Sequence, residues 1–119
     1  RSSAASDVYK RQGEEYVEEM LDIFIEDTTE ELSGMRDAFS MRNYVKLGSI
    51  IHKAAPLWEM IRINIPRSEL KGMASMPPEK WGGISDERIE KLIEAVEQAV
   101  EKAKKIKEKT YGNRIGSGR

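Results

Sequence analysis

Apolar residues recur every three or four positions along most of this chain, the spacing of one buried stripe on an α-helix. Over residues 14–39 the stripe is Val17, Met20, Leu21, Phe24, Leu32, Met35 and Phe39. Thr28 and Thr29 interrupt it, and the pattern predicts a bend or weak turn there. A second stripe of Tyr44, Leu47, Ile51, Ala54, Trp58, Ile61 and Ile65 predicts a helix that opens at Asn43, a good N-cap, and runs to about residue 63. Residues 66–73 read as a short helix with a proline at its start and Gly72 weakening its interior. Residues 74–84, with Pro77-Pro78 and Gly82-Gly83, read as the one real connector. The last stripe is Ile89, Leu92, Val96, Ala99, Ala103 and Ile106, preceded by Ser85 as N-cap, with Asp86 and Glu87 favouring the positive end of the helix dipole. Glu87–Lys91 and Glu101–Lys105 are predicted i,i+4 pairs on its outer face. No segment alternates with period two for long enough to make a strand. The pattern predicts an all-α domain over residues 13–109, most simply an antiparallel up-down four-helix bundle with a short third helix.

The ends fall outside this pattern. Residues 1–12 carry no apolar period and read as a non-native or disordered tail. Residues 110–119 are Gly-rich and equally patternless, a second disordered tail. The start at Arg1 and the length of 119 residues fit a piece of something longer. Whole-chain charge is −1, but residues 13–109 hold 15 basic and 20 acidic residues, which argues against binding nucleic acid by bulk charge. The acidic run on the first helix, including Glu14, Glu18, Glu26 and Glu31, reads first as a solvated face. Apolar runs are too short to insert into a membrane. With no cysteine there is no disulfide framework and no thiolate chemistry, and the chain suits a reducing cytoplasm. A single histidine, His52, excludes two-histidine metal sites.

His52 follows the core position Ile51 but points roughly 120° away from the centre of its helix's apolar seam. An incidental surface histidine is the bland reading. Its neighbours favour a purpose. Gly48 and Ser49 lie one turn before it, Ala55 and Pro56 one turn after, a small-residue shoulder that leaves the ring accessible to another macromolecule. Gly48 costs a helix about 1 kcal/mol relative to Ala, and an interior proline costs about 3 kcal/mol or more, with a bend expected where Pro56 withholds its N–H from the carbonyl of His52. Close helix packing at Gly48 and a simple kink at Pro56 are the structural alternatives. Between Arg42 and Arg67 the basic residues Arg42, Lys46, Lys53, Arg62 and Arg67 face only Glu59, a positive stretch inside an acidic domain. Such a field suits a phosphoryl group and an acidic partner pocket. A neutral imidazole is a competent nucleophile near pH 7.

The run Ile51-His52-Lys53-Ala54-Ala55-Pro56-Leu57-Trp58, after an acidic helix and an Asn-Tyr helix start, resembles a histidine phosphotransfer (HPt) domain of bacterial two-component phosphorelays. The resemblance covers residues 14–109 in layout and residues 43–63 in motif. It is nearest to variants reading His-Lys-x-x-Pro, associated with hybrid sensor histidine kinases; Ala55 stands where many members have Lys, and Pro56 where many have Gly. The resemblance implies that His52 accepts a phosphoryl group on Nε2 from the aspartyl phosphate of a response-regulator receiver domain and yields it to another receiver. It implies Lys53 as the first cation to steady that group and Arg62 as the second. Magnesium and the catalytic groups would belong to the receiver, so no cofactor or metal site is expected in this chain, which would be a phosphocarrier, monomeric as an isolated domain. A carboxylate-bridged metal bundle fits poorly because Ser49 stands where a ligating Glu would be needed. No Gly-x-Ser-x-Gly elbow or Gly-rich phosphate loop is present. The serious rival is a non-catalytic helical interaction or adaptor module.

Overall fold

A computed structural model of the chain describes residues 2–117, with side chains over residues 5–112. It is all-helical. Helix α1 spans Ser2–Ser40, α2 Tyr44–Met60, α3 Arg67–Ala74 and α4 Asp86–Ser117, with a short 3₁₀ helix at Pro78–Gly83 between α3 and α4. Helix α1 packs along α4 and α2, while α2 packs against α3 and the 3₁₀ helix. The caps form as the sequence predicts. Asn43 Oδ1 accepts from the amide of Lys46 at 3.2 Å, and Ser85 Oγ accepts a longer bond from Arg88 at 3.4 Å.

Both α1 and α2 close in the same way. After α1, Arg42 takes φ 56°, its amide donates to Phe39, and the next amide, Asn43, reaches back to Ala38 at 2.7 Å. After α2, Arg62 also takes φ 56°, with Arg62 donating to Glu59 and Ile63 to Trp58. This paired pattern satisfies helix-end carbonyls that would otherwise be orphaned, and the left-handed residue is usually glycine. Here both are arginines. Arg42 uses the position: its guanidinium forks onto Asp86 at the start of α4, with both bonds at 3.0 Å, and lies 4.8 Å above the Phe39 ring. Arg62 makes no comparable pair among the described residues.

The core is built from Leu32, Met35 and Ala38 of α1, Leu47, Ile51, Ala54 and Trp58 of α2, Leu70 and Met73 of α3, and Ile89, Leu92, Val96 and Val100 of α4. Each fully buried Leu, Ile, Val or Met among these stabilises the fold by roughly 2 kcal/mol, whereas exposed ion pairs such as Arg36–Glu97 and Lys91–Glu87 add little.

Several sequence expectations change. Helix α1 does not break at Thr28 and Thr29. Thr28 is fully buried, one turn from both Phe24 and Leu32, so the stripe continues through a polar residue whose Oγ1 has no partner. Helix α2 ends at Met60, which leaves Ile61 exposed and buries Ile63 in its place. The connector holds the 3₁₀ helix and the fully buried Trp81. Residues 2–12 belong to α1, and residues 5–12 are exposed. At the other end α4 runs on to Ser117, and Tyr111 is buried beside Asp22 and Ile25 of α1, so the expected tail begins too early; residues 118–119 lie outside the described residues. Glu101 pairs with Lys104, not Lys105.

Arg62→Gly removes the cost of a left-handed non-glycine residue, about 1–2 kcal/mol, less the backbone entropy of glycine, about 0.5–1 kcal/mol. The variant is expected to be more stable by about 0.5–1 kcal/mol in urea denaturation. Arg42→Gly should gain less, because it also forfeits the contacts to Asp86 and Phe39.

Candidate functional site

His52 stands on the outer side of α2, exposed, between the buried Ile51 and the buried pair Ala54 and Ala55. Its ring is oriented by one contact. Nδ1 lies 2.9 Å from the carbonyl oxygen of Ala74, the last residue of α3. A carbonyl can only accept, so Nδ1 must carry the proton and donate it. In the neutral ring the lone pair is therefore on Nε2. The contact also satisfies one of the carbonyls left over at the end of a helix. Imidazole and carbonyl are 22 residues apart and meet because α3 runs back alongside α2.

The small-residue shoulder is only half open. Ser49 and Pro56 are exposed, but Gly48 and Ala55 are buried. The expectation of an open shoulder at all four is corrected by Trp81, whose indole lies over Gly48. A Cβ placed on Gly48 would stand 2.7 Å from Trp81 Nε1 and 3.0 Å from Cδ1. The buried arc of α2 is wider than its apolar stripe because α1 covers one side, and α3 with the 3₁₀ helix the other. Helix α2 continues through Pro56 to Met60, so proline leaves the carbonyl of His52 without its helical donor but does not end the helix.

Three of the five cations are placed elsewhere. Arg42 pairs with Asp86, and Arg67 with Glu59, which also lies 3.6 Å from Lys71 Nζ. The hydrogen bond from Arg67 holds the Glu59 carboxyl below its ordinary range. Arg62 lies past the end of α2, lining a small pocket with Trp58, Glu59 and Arg67. By Met60 the helix axis has already advanced about 12 Å from His52, so the structure does not bring Arg62 to the imidazole. Lys53 is exposed and leans toward α1, within electrostatic reach of Glu31. The Glu31 carboxyl is raised above its ordinary value of 4.5, first by burial and then by Asp27, with Lys53 pulling it back. His52 and Lys53 thus flank the outer side of α2, one leaning to α3 and the other to α1.

Among the described residues, no group of three or more acidic or histidine side chains is arranged to hold a metal ion, and no helix is long and apolar enough to cross a membrane. A second surface feature went unnoticed in the sequence. Where α2 stops, α1 and α4 continue and leave an apolar groove of about 650 Å³ lined by Val17, Met20, Ile23, Met60, Ile61 and Ile106, among others. The stripe that predicts the core also supplies Val17, Met20 and Ile106, and only the early end of α2 exposes them. Comparison with known family models, curated proteins and solved structures finds no match for this chain.

Because the Glu31 carboxyl is raised in the folded chain, its contribution to stability is fully present below its unfolded value and is lost as pH rises through the folded one. Glu31→Gln is therefore expected to raise the urea midpoint at pH 7 more than at pH 4. Equal shifts at the two pH values would contradict the assignment.

Proposed function

We propose that the chain is a histidine-containing phosphotransfer domain, an antiparallel four-helix bundle whose short third element is α3, working in the cytoplasm between receiver domains of a phosphorelay. The reading rests on the motif around His52, and the observation that supports it most is the 2.9 Å contact from Nδ1 to Ala74, which in the neutral ring puts the lone pair on Nε2 of an exposed side chain. The Nε2 lone pair attacks phosphorus in line, the bond from phosphorus to the aspartyl oxygen breaks, and the receiver's carboxylate leaves with the electron pair. The proton on Nδ1 stays in its bond to the Ala74 carbonyl throughout, so the ring takes up the phosphoryl group without moving a proton. Transfer of this kind is mostly positioning and charge stabilisation. Lys53 supplies the nearest cation in sequence, and Ser49 and Pro56 supply the open approach. The divalent ion and the acidic groups that serve it belong to the receiver, so this chain is a carrier and not a self-sufficient kinase. Its membership of a hybrid histidine kinase is part of the same proposal. A second reading, an interaction module without chemistry, is favoured by one observation, the apolar groove at the end of α2.

Incubation with a phosphorylated receiver and magnesium should give an acid-labile, base-stable label that is lost in His52→Gln. Lys53→Glu should slow uptake by about tenfold or more with helix content unchanged. A label equal in wild type and His52→Gln, or none in either, would favour the interaction module.

A further inference from the structure

Gly48 and His52 are four residues apart on α2, one turn of the same face, separated by about 6 Å along the axis. The segment from Ala74 to Trp81 touches both levels: the carbonyl of Ala74 meets His52, and the indole of Trp81 lies over Gly48. Between these anchors the chain has little slack. Ser75 and Met76 fold back onto α3, their amides donating hydrogen bonds to the carbonyls of Lys71 at 3.1 Å and Met73 at 3.2 Å. Pro77 and Pro78 then fix two successive φ angles. Trp81 has no exposed surface, so it cannot swing away without opening the core. Its Nε1 has no hydrogen-bond partner, so the indole is held there by shape and burial alone.

We propose that Gly48 and Trp81 are positioning residues for His52: the indole seated on a bare glycine fixes the connector, and the connector fixes the Ala74 carbonyl that selects the Nδ1–H tautomer. The inference rests on the reading of Nε2 as the reactive atom, but tautomer selection itself requires no phosphate. It assigns Gly48 a purpose other than access. The glycine is needed because any Cβ would displace the Trp81 ring edge, and with it the far end of a stiff segment carrying the group that orients the imidazole. It also explains a tryptophan buried inside a Pro- and Gly-rich connector. Phe is smaller by one fused ring and can shift back from a Cβ at position 48 into the space the second ring vacates, so Trp81→Phe should relieve the clash. It abandons no hydrogen bond in doing so.

The test uses the ¹⁵N-labelled full chain. His52 is the sole histidine, so its ring nitrogens need no assignment. Long-range ¹H–¹⁵N correlations at a pH where the ring is neutral should show one Nδ1–H tautomer in the wild type. In Gly48→Ala the Nδ1–H share should fall, with a mixture of tautomers in a chain of unchanged helix content, and Gly48→Ala/Trp81→Phe should restore the single form. A single Nδ1–H tautomer in folded Gly48→Ala, or a double variant that stays mixed, would overturn the proposal. Should Gly48→Ala not fold, Trp81→Ala takes its place: it removes the seat without a clash, mixed tautomers are expected, and an unchanged Nδ1–H form would be decisive against. With a phosphorylated receiver, uptake should fall in proportion to the Nδ1–H share. A wild-type chain that holds the tautomer but takes no label would defeat the phosphotransfer reading and leave this one standing.

Discussion

A hydrogen bond of 2.9 Å between His52 Nδ1 and the carbonyl of Ala74 ties the surface chemistry of this domain to its tertiary structure. It joins the middle of α2 to the last residue of α3, so the orientation of the ring is a consequence of how those helices pack. An exposed imidazole free of such a bond would sample both tautomers and several rotamers. Restricting it costs side-chain entropy, and the fold meets that cost with a carbonyl that α3 leaves unsatisfied in any case. Leu70 and Met73 hold α3 against the core, which makes the carbonyl a fixed group and not a fluctuating one.

Helix α2 itself exists because of packing. Its interior contains Gly48 and Pro56, which together disfavour an isolated helix by about 4 kcal/mol. Leu47, Ile51 and Trp58, all without exposed surface, outweigh that deficit at roughly 2 kcal/mol each. The helix is therefore conditional on its neighbours, and the exposed imidazole in its middle is held by a scaffold that would not persist alone. Gly48 is explained by the indole above it. For Pro56, nothing in the structure beyond its open, half-shouldered position beside His52 accounts for the choice.

How much of this was legible in the chain differs by element. The spacing of apolar residues located α2, α4 and residues 14–39 of α1, a proline marked the start of α3, and Asn43 and Ser85 marked where α2 and α4 begin, because periodicity and capping are local properties. The outward direction of His52 followed from the same arithmetic. Local pattern failed where a residue's surroundings come from distant sequence. Trp81 lies in a stretch with no period, so its burial shows only once Gly48 is seen beneath it. Thr28 looked like an interruption because polarity was read as exposure. Arg42 and Arg62 in left-handed conformations could not be anticipated, since glycine is the usual signal for that position. The contact with Ala74 spans 22 residues and has no sequence signature, because any residue offers a carbonyl.

Charge shows why composition misleads about a site. The stretch from Arg42 to Arg67 carries an excess of cations, yet Arg42 closes onto Asp86 and Arg67 onto Glu59. What reaches the neighbourhood of the imidazole is Lys53, and it is partly answered by Glu31 across the α1–α2 contact. The field around His52 is therefore modest, and affinity for a charged group cannot come from the segment's net charge. It must come from short-range geometry: one lone pair held in place, one flexible ammonium beside it, and an approach left open by Ser49 and Pro56. Under the proposed function, such a site would gain most of its stabilisation only when a partner brings the rest, the division of labour of a carrier and the opposite of what a self-contained catalyst requires.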